Sequence, residues 1–201
     1  MTALPALPVA IPLLVAAALV AAVSFTRRWM ADAAALITAV AVTALCALLL
    51  VRSAHETIVY WFAGWQPRGG IALEISFAID PIGAGIAAFA GVLTCAALIF
   101  SWRHFEEVSH VFHALMLVFL AAMVGFSLSG DLFNMFEFFA DDRCGSCVDR
   151  LPDRRAPAAG RRAELRHTNT VGGFLIVGGI GLTYGRTGAL NLAQVGEALA
   201  I

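Results

Sequence analysis

Few side chains in this sequence can carry protons, and several of them stand among apolar neighbours. Glu137 lies in the run Asp131-Leu-Phe-Asn-Met-Phe-Glu-Phe-Phe139. An acid inside an apolar helical segment is a candidate proton carrier; the alternative is a residue near a helix end that faces water. Asp131, at the mouth of the same segment, is a second candidate, although an acid at a helix N-terminus is also favoured by the helix dipole. His110 and His113 are spaced i, i+3 and so share a helical face. Imidazole changes charge near neutral pH, which suits a proton relay, and His113 is the third pathway candidate. The other reading of this pair is interfacial. Asp80-Pro81 reads as a helix start, with Asp as the cap and Pro in the first turn. Cys144-Gly-Ser-Cys147 is a single CxxC, half of a zinc site or a redox pair. No second pair follows it, and His167 is poorly spaced to complete a site, so neither metal nor cofactor is expected. Cys46 and Cys95 read as packing residues. No glycine-rich phosphate loop is present. No haem, flavin or iron–sulfur ligand set is present either, so any redox chemistry would belong to another chain.

These groups must be positioned by elements that the composition identifies. Of the 201 residues, 60% are hydrophobic and 13% charged, against about 45–50% and 25% in soluble domains. The excess places the chain in a bilayer, as a multi-pass protein of the cell membrane. A net charge of -1 gives no basic field for nucleic acid. A helical span needs about 20 apolar residues. Leu4–Phe25, Ala33–Val51 and Pro81–Ser101 contain no charged residue, and Val111–Ser129 contains only His113. The first run lacks a basic leader and is too long for a signal peptide, so it reads as a retained span. A fifth run, Thr170–Tyr184, is short and glycine-rich. Its Gly172, Gly173, Gly178, Gly179 and Gly181 imply close helix packing.

Between spans two and three, Thr57–Phe62 and Ile71–Phe77 alternate around Gly69-Gly70. They predict a small β-hairpin at the membrane surface, with Trp61 and Trp65 at headgroup level. The fold expected is all-α: a polytopic transmembrane helix bundle of about 5–6 spans with this one extramembrane hairpin. Arg27, Arg28, Arg103 and His104 mark one face as cytoplasmic and place the hairpin outside; Arg52 and Arg68 oppose this.

Residues 140–167 break the pattern. They hold seven of the 13 arginines and five of the 14 acids, and cannot span a bilayer. The segment before them stops after about nine apolar residues, and a half-span is costly unless its open end is covered. Two explanations stand. The stretch is a cytoplasmic Arg/Cys-rich loop, in which case the protein is a small membrane scaffold that binds a partner or metal there. Alternatively it is read out of frame from a GC-rich gene. Permitted codons read one base later give an apolar run, a short charged loop and an amphipathic span start. The chain thus divides into 1–139, with spans one to four and the start of span five; 140–167, the anomalous stretch; and 168–201, span six and a following turn.

Gly130-Asp-Leu-Phe-Asn-Met-Phe136 followed by Phe138-Phe139 resembles a signature of antiporter-like membrane subunits. These are the proton-conducting subunits of respiratory complex I (NADH-quinone oxidoreductase) and the D-type subunit of multi-subunit Na+/H+ antiporters. Gly64-Trp65, Pro67, Gly70-Ile71 and Asp80 are similar to the family's first hairpin. Thr168-Asn-Thr-Val-Gly-Gly-Phe174 and Tyr184-Gly-Arg-Thr-Gly-Ala-Leu-Asn-Leu-Ala-Gln194 are similar to its sixth span and the next turn. The resemblance covers about residues 55–139 and 168–201, and the GDLFN stretch leans towards the antiporter D-type. It implies about fourteen spans in inverted repeats, proton movement or exchange of protons for Na+, and membrane subunits as partners. It also implies a glutamate on span five paired with a lysine on span seven. Here Ala140 stands where that glutamate is expected, and all 13 basic residues are Arg. The chain is therefore expected to be an N-terminal piece that does not transport by itself.

Overall fold

The computed structural model describes residues 4–23, 28–54, 56–61, 76–104, 110–145 and 159–200. Among these, seven helices and one two-stranded sheet follow in the order α1 (Leu7–Ala21), α2 (Arg28–Ser53), β1 (Ile58–Trp61), β2 (Ser76–Ile79), α3 (Pro81–His104), α4 (His110–Leu128), α5 (Leu132–Gly145), α6 (Ala159–Thr187) and α7 (Leu192–Leu199). Three of them carry membrane-length apolar segments, Trp29–Ser53, Pro81–Trp102 and Val111–Leu128. The apolar part of α1 is shorter, at 15 residues.

The bundle is held together by small side chains rather than large ones. On α2 the buried stripe is Ala31, Ala35, Ala39, Val42, Cys46 and Leu49; α3 supplies Ala84, Ala87, Ala90 and Leu98, and α4 supplies Ala114, Leu117, Ala121, Val124 and Leu128. Lipid tails are as apolar as leucine, so helices in a bilayer associate through close packing rather than through the hydrophobic effect. α2 and α3 approach each other closely. A Cβ added at Gly91 would stand 3.1 Å from Thr43 Cβ and 3.2 Å from its Cα. The Thr43 hydroxyl is already committed, donating to Ala39 O at 2.7 Å. Gly91→Val should therefore push α2 and α3 apart and cost about 1–3 kcal/mol. A chemical-unfolding midpoint in detergent would read it, and an unchanged midpoint would show that the two helices yield freely.

The outer surface has the opposite character. Leu14, Ile37, Val51, Ile82, Phe89 and Phe100 are each at least 59% exposed. A soluble protein does not leave so wide an apolar surface in water; acyl chains cover it at no cost. The molecule is a multi-pass integral membrane protein.

The hairpin forms. Ile58 to Trp61 pair antiparallel with Ile79 to Ser76, in the register Ile58↔Ile79. Of the expected second segment, Ile71–Phe77, Ser76 and Phe77 belong to this strand; residues 71–75, Trp65, Pro67, Arg68 and the Gly pair lie outside the described residues. The strand is anchored by burial. Phe77 and Ile79 are 1% and 0% exposed, so register is set by which residues reach the core.

Helix also extends further into the anomalous stretch than its polarity suggests. α5 runs to Gly145 and α6 begins at Ala159. Ala, Arg, Glu and Leu dominate residues 159–166, and all are strong helix formers. Local propensity makes a helix there whether or not that helix suits a bilayer. At about 1.5 Å per residue, the 14 residues of α5 reach roughly 21 Å, short of the ~30 Å hydrocarbon core. The glycines of α6 meet little within the chain: a Cβ at Gly172, Gly178, Gly179 or Gly181 would find nothing within 4 Å among the described residues.

Candidate functional site

Two polar sites sit at opposite ends of the bundle. α2 leaves one face and delivers the chain to the hairpin at the other; α3 returns and α4 crosses again. The starts of α2 and α4 and the end of α3 therefore share one face. The hairpin, the end of α4 and the start of α5 share the opposite one.

At the first face, His113 of α4 meets Asp32 of α2. Nε2 lies 2.6 Å from Asp32 Oδ1, and the side chains are 3% and 7% exposed. Phe112 packs edge-on against the imidazole, with ring centroids 5.5 Å apart. Removing two charged groups from water is expensive unless they compensate each other at close range. A pair at this distance meets that requirement. The ring is buried between helices, about one turn below the start of α4. His110, its expected face-mate, has a side chain outside the described set.

Asp32 escapes a reading of the sequence because it stands one residue before the uncharged run Ala33–Val51. The signal was present. Asp32, Ala35, Ala39, Val42, Cys46 and Leu49 recur at three- and four-residue steps and form one buried face. An acid that heads such a stripe points the same way as the stripe.

At the second face the polar groups are stitched into a joint. Asp131 caps α5: its Oδ1 accepts from Phe133 N at 2.8 Å and Asn134 N at 3.0 Å. Asn134 Nδ2 donates to Ser129 Oγ at 3.0 Å. Gly130 N donates to Ser76 O of the hairpin at 2.8 Å. Asn191 caps α7 through Ala193 N at 3.1 Å and reaches Ser76 Oγ with its own Nδ2, also at 3.1 Å. Leu132 N→Leu190 O and Leu192 N→Gly130 O, both 3.0 Å, close a short antiparallel bridge between the two helix starts. The Gly, Asp and Asn of the GDLFN stretch thus all have structural roles. Asp131→Ala should cost about 1 kcal/mol, the usual loss of an N-cap. Thermal unfolding in detergent would read this, and a loss near zero would mean that the cap is not formed. Asp80 behaves as expected, accepting from Gly83 N at 2.9 Å at the start of α3.

The three pathway candidates are not brought together. His113 stands 15 residues before the end of α4, about 22 Å from the level of Asp131. Glu137 is exposed on α5. Among the described residues no group of three or more His, Cys, Asp or Glu side chains is placed to hold a metal. Cys147 lies outside them.

A buried Asp–His pair thus sits inside a multi-pass helical bundle, and comparison with known proteins shows what the chain is similar to. The chain is homologous to the antiporter-like membrane subunits. It is 32% identical over 98% of its length to the N subunit of the NADH-quinone oxidoreductase of Desulforudis audaxviator. It is 29% identical over 96% of its length to the D-type subunit of a probable K(+)/H(+) antiporter of Rhizobium meliloti. The whole chain superposes on a component of the Mrp complex from a Dietzia species with a TM-score of 0.85 and 26% identity, covering 40% of that chain. A fold likeness extends to the archaeal membrane-bound sulfane sulfur reductase, with a TM-score of 0.79 and 21% identity over 96% of this chain and 39% of the other. No family model matches the chain. It spans 39% and 36% of the two sequence relatives' lengths. The two relatives stand on opposite sides of the complex I and antiporter division, so similarity alone does not separate them.

Proposed function

We propose that this chain is the N-terminal part of a proton-conducting or cation–proton antiporter subunit, built from 5–6 spans, that works within a multi-subunit membrane assembly. The observation that carries the reading is the buried Asp32–His113 pair, set in a chain homologous over nearly its full length to such subunits. Buried ionisable residues in membrane helices mark ion and proton pathways. Protons, with Na+ or K+ as the exchanged ion in antiporters, are the transported species, and the partners are other membrane subunits. Of the three candidates, His113 is buried in its span against Asp32, and this pair is the proposed pathway site; Asp131 caps α5 and Glu137 is exposed.

The chain alone does not transport. Ala140 holds the position after Phe138-Phe139 where the resemblance expects a glutamate, and the sequence contains no Lys. Residues 140–167 are the out-of-frame segment, flanked by units 1–139 and 168–201; resequencing the codons for Phe138 through Thr170 tests this directly. For function, the chain is reconstituted in vesicles with an internal pH dye. Added Na+ or K+ should leave an imposed pH gradient intact, and cation-driven dissipation would overturn the inactivity. Affinity purification from its native membrane should bring down other membrane subunits. Recovery as an isolated chain would overturn the subunit reading.

A further inference from the structure

We infer that the hairpin end of α2 carries a binding site for one anionic phospholipid, with the lipid phosphate on Arg52 and the start of an acyl chain in the cavity beside it. A partly open cavity of about 230 Å³ lies there. Its walls include Leu4 and Pro5 ahead of α1, Leu49 and Arg52 at the end of α2, and Ile58 and Tyr60 of β1. Apart from Arg52, every residue of the lining is apolar or aromatic.

The cavity stands where hydrocarbon gives way to water. The membrane-length segment of α2 ends at Ser53, one residue beyond Arg52. Leu48 and Leu49 lie four and three residues before Arg52, so both adjoin it on the helix surface. Leu49 is buried, whereas Leu48 and Val51 are exposed on the lipid-facing surface. Arg52 therefore sits on the seam between core and lipid. A phosphate at this level meets the guanidinium while its chain continues into the bilayer. The volume agrees. It is below the roughly 300–1,000 Å³ of pockets that enclose a small molecule, so most of the ligand stays outside, as a bilayer lipid does.

Nothing else on the chain accounts for this arginine. Among the described residues Arg52 makes no ion pair, and neither does Glu56, the next acid along the chain. Ser53 serves the helix end, donating from Oγ to Leu50 O at 3.2 Å. Orientation does not explain Arg52 either, because the charge bias places the hairpin face outside. The α2 C-terminus carries partial negative charge, which disfavours a bare anion. Recognition therefore falls on the guanidinium, whose fork matches two phosphate oxygens, and on the apolar wall, which free phosphate cannot use. Arg186 supplies a contrast. It is exposed in the last turn of α6, ahead of the Leu190 bridge on the same face, and is not part of the cavity lining. The inference goes beyond the transport reading and does not depend on it.

The test counts bound lipid rather than ion flux. The full chain is purified in maltoside detergent and titrated with phosphatidylglycerol or phosphatidylcholine, and native mass spectrometry reads the lipid retained. One phosphatidylglycerol per chain should bind about fivefold more tightly than phosphatidylcholine, the effect of one arginine near an anionic surface. Arg52→Gln should remove that preference, and Arg186→Gln should leave it within twofold. Val59→Trp, which narrows the cavity and keeps the guanidinium, should weaken both lipids. A parent chain without the preference would overturn the site, as would an Arg52→Gln chain that keeps it. An equal loss in Arg186→Gln would overturn it too, since the attraction would then be general surface charge. So would full displacement of the lipid by millimolar inorganic phosphate, which would make this a free-anion site. If a variant does not fold, the parent's lipid preference and the phosphate competition still decide.

Discussion

Replacing His113 alone by leucine should destabilise the bundle by about 3–5 kcal/mol, and replacing Asp32 alone should cost a similar amount. Either change removes the short Asp32–His113 contact from a polar group that is only 3–7% exposed. The loss reflects the desolvation of the survivor, not the strength of the pair. Replacing both residues together should therefore recover most of it. The pair's own attraction roughly offsets the cost of burying it, and two leucines of suitable volume pack without that cost. Denaturant unfolding of the two single variants and the double variant in one detergent forms a closed cycle. The expected signature is a coupling of at least about 2 kcal/mol between the sites. Single variants that each lose under about 0.5 kcal/mol would place the pair in water, where exposed ion pairs have small effects. The double variant should be nearly as stable as the parent.

How much of this was legible beforehand depended on which force set each feature. Helices α2, α3 and α4 follow from uninterrupted apolar runs, because a bilayer imposes length directly on sequence. The capping role of Asp80 was legible because Asp-Pro is a local signal. The hairpin was foreseen as an element; its register, Ile58↔Ile79, places Phe77 and Ile79 in a core assembled from distant helices. The pair at His113 was half visible. One member lay inside a span and was noticed. The other stood at the edge of an apolar run, and only its phase with Ala35 and Ala39 betrays it. The polar joint was the least legible part. Its bonds link Ser76, Gly130 and Asn191 across 115 residues, and no local pattern announces such a partnership. The lesson is sharpest for the GDLFN stretch, which carries the family resemblance. A stretch this distinctive invites a chemical role for its acid, yet Asp131 commits its Oδ1 to two backbone amides.

Gly130→Val should be the most damaging change in that stretch, at about 1–3 kcal/mol for overpacking alone. A Cβ at Gly130 would stand 2.9 Å from both Ala78 Cβ and Ser76 Oγ, and 3.2 Å from Ala78 N. The strand cannot easily yield, because β2 is anchored by Phe77 and Ile79 in the core. Movement must instead come from residue 130, and its amide would leave Ser76 O, now 2.8 Å away. A buried carbonyl left without its donor adds a further ~1–3 kcal/mol. Its own carbonyl accepts from Leu192 N, so the start of α7 should loosen with it. Two readouts follow from one substitution: a lower unfolding midpoint, and faster hydrogen exchange at the Leu132 and Leu192 amides. Serine at the same position, smaller than valine, should show both effects more weakly. Rapid exchange at those two amides already in the parent would mean that the joint is open, and that Gly130 is there for another reason. At this face α5 and α7 both begin within a residue of the bridge. The glycine therefore sets how closely the hairpin can approach, and the hairpin in turn sets where span five starts.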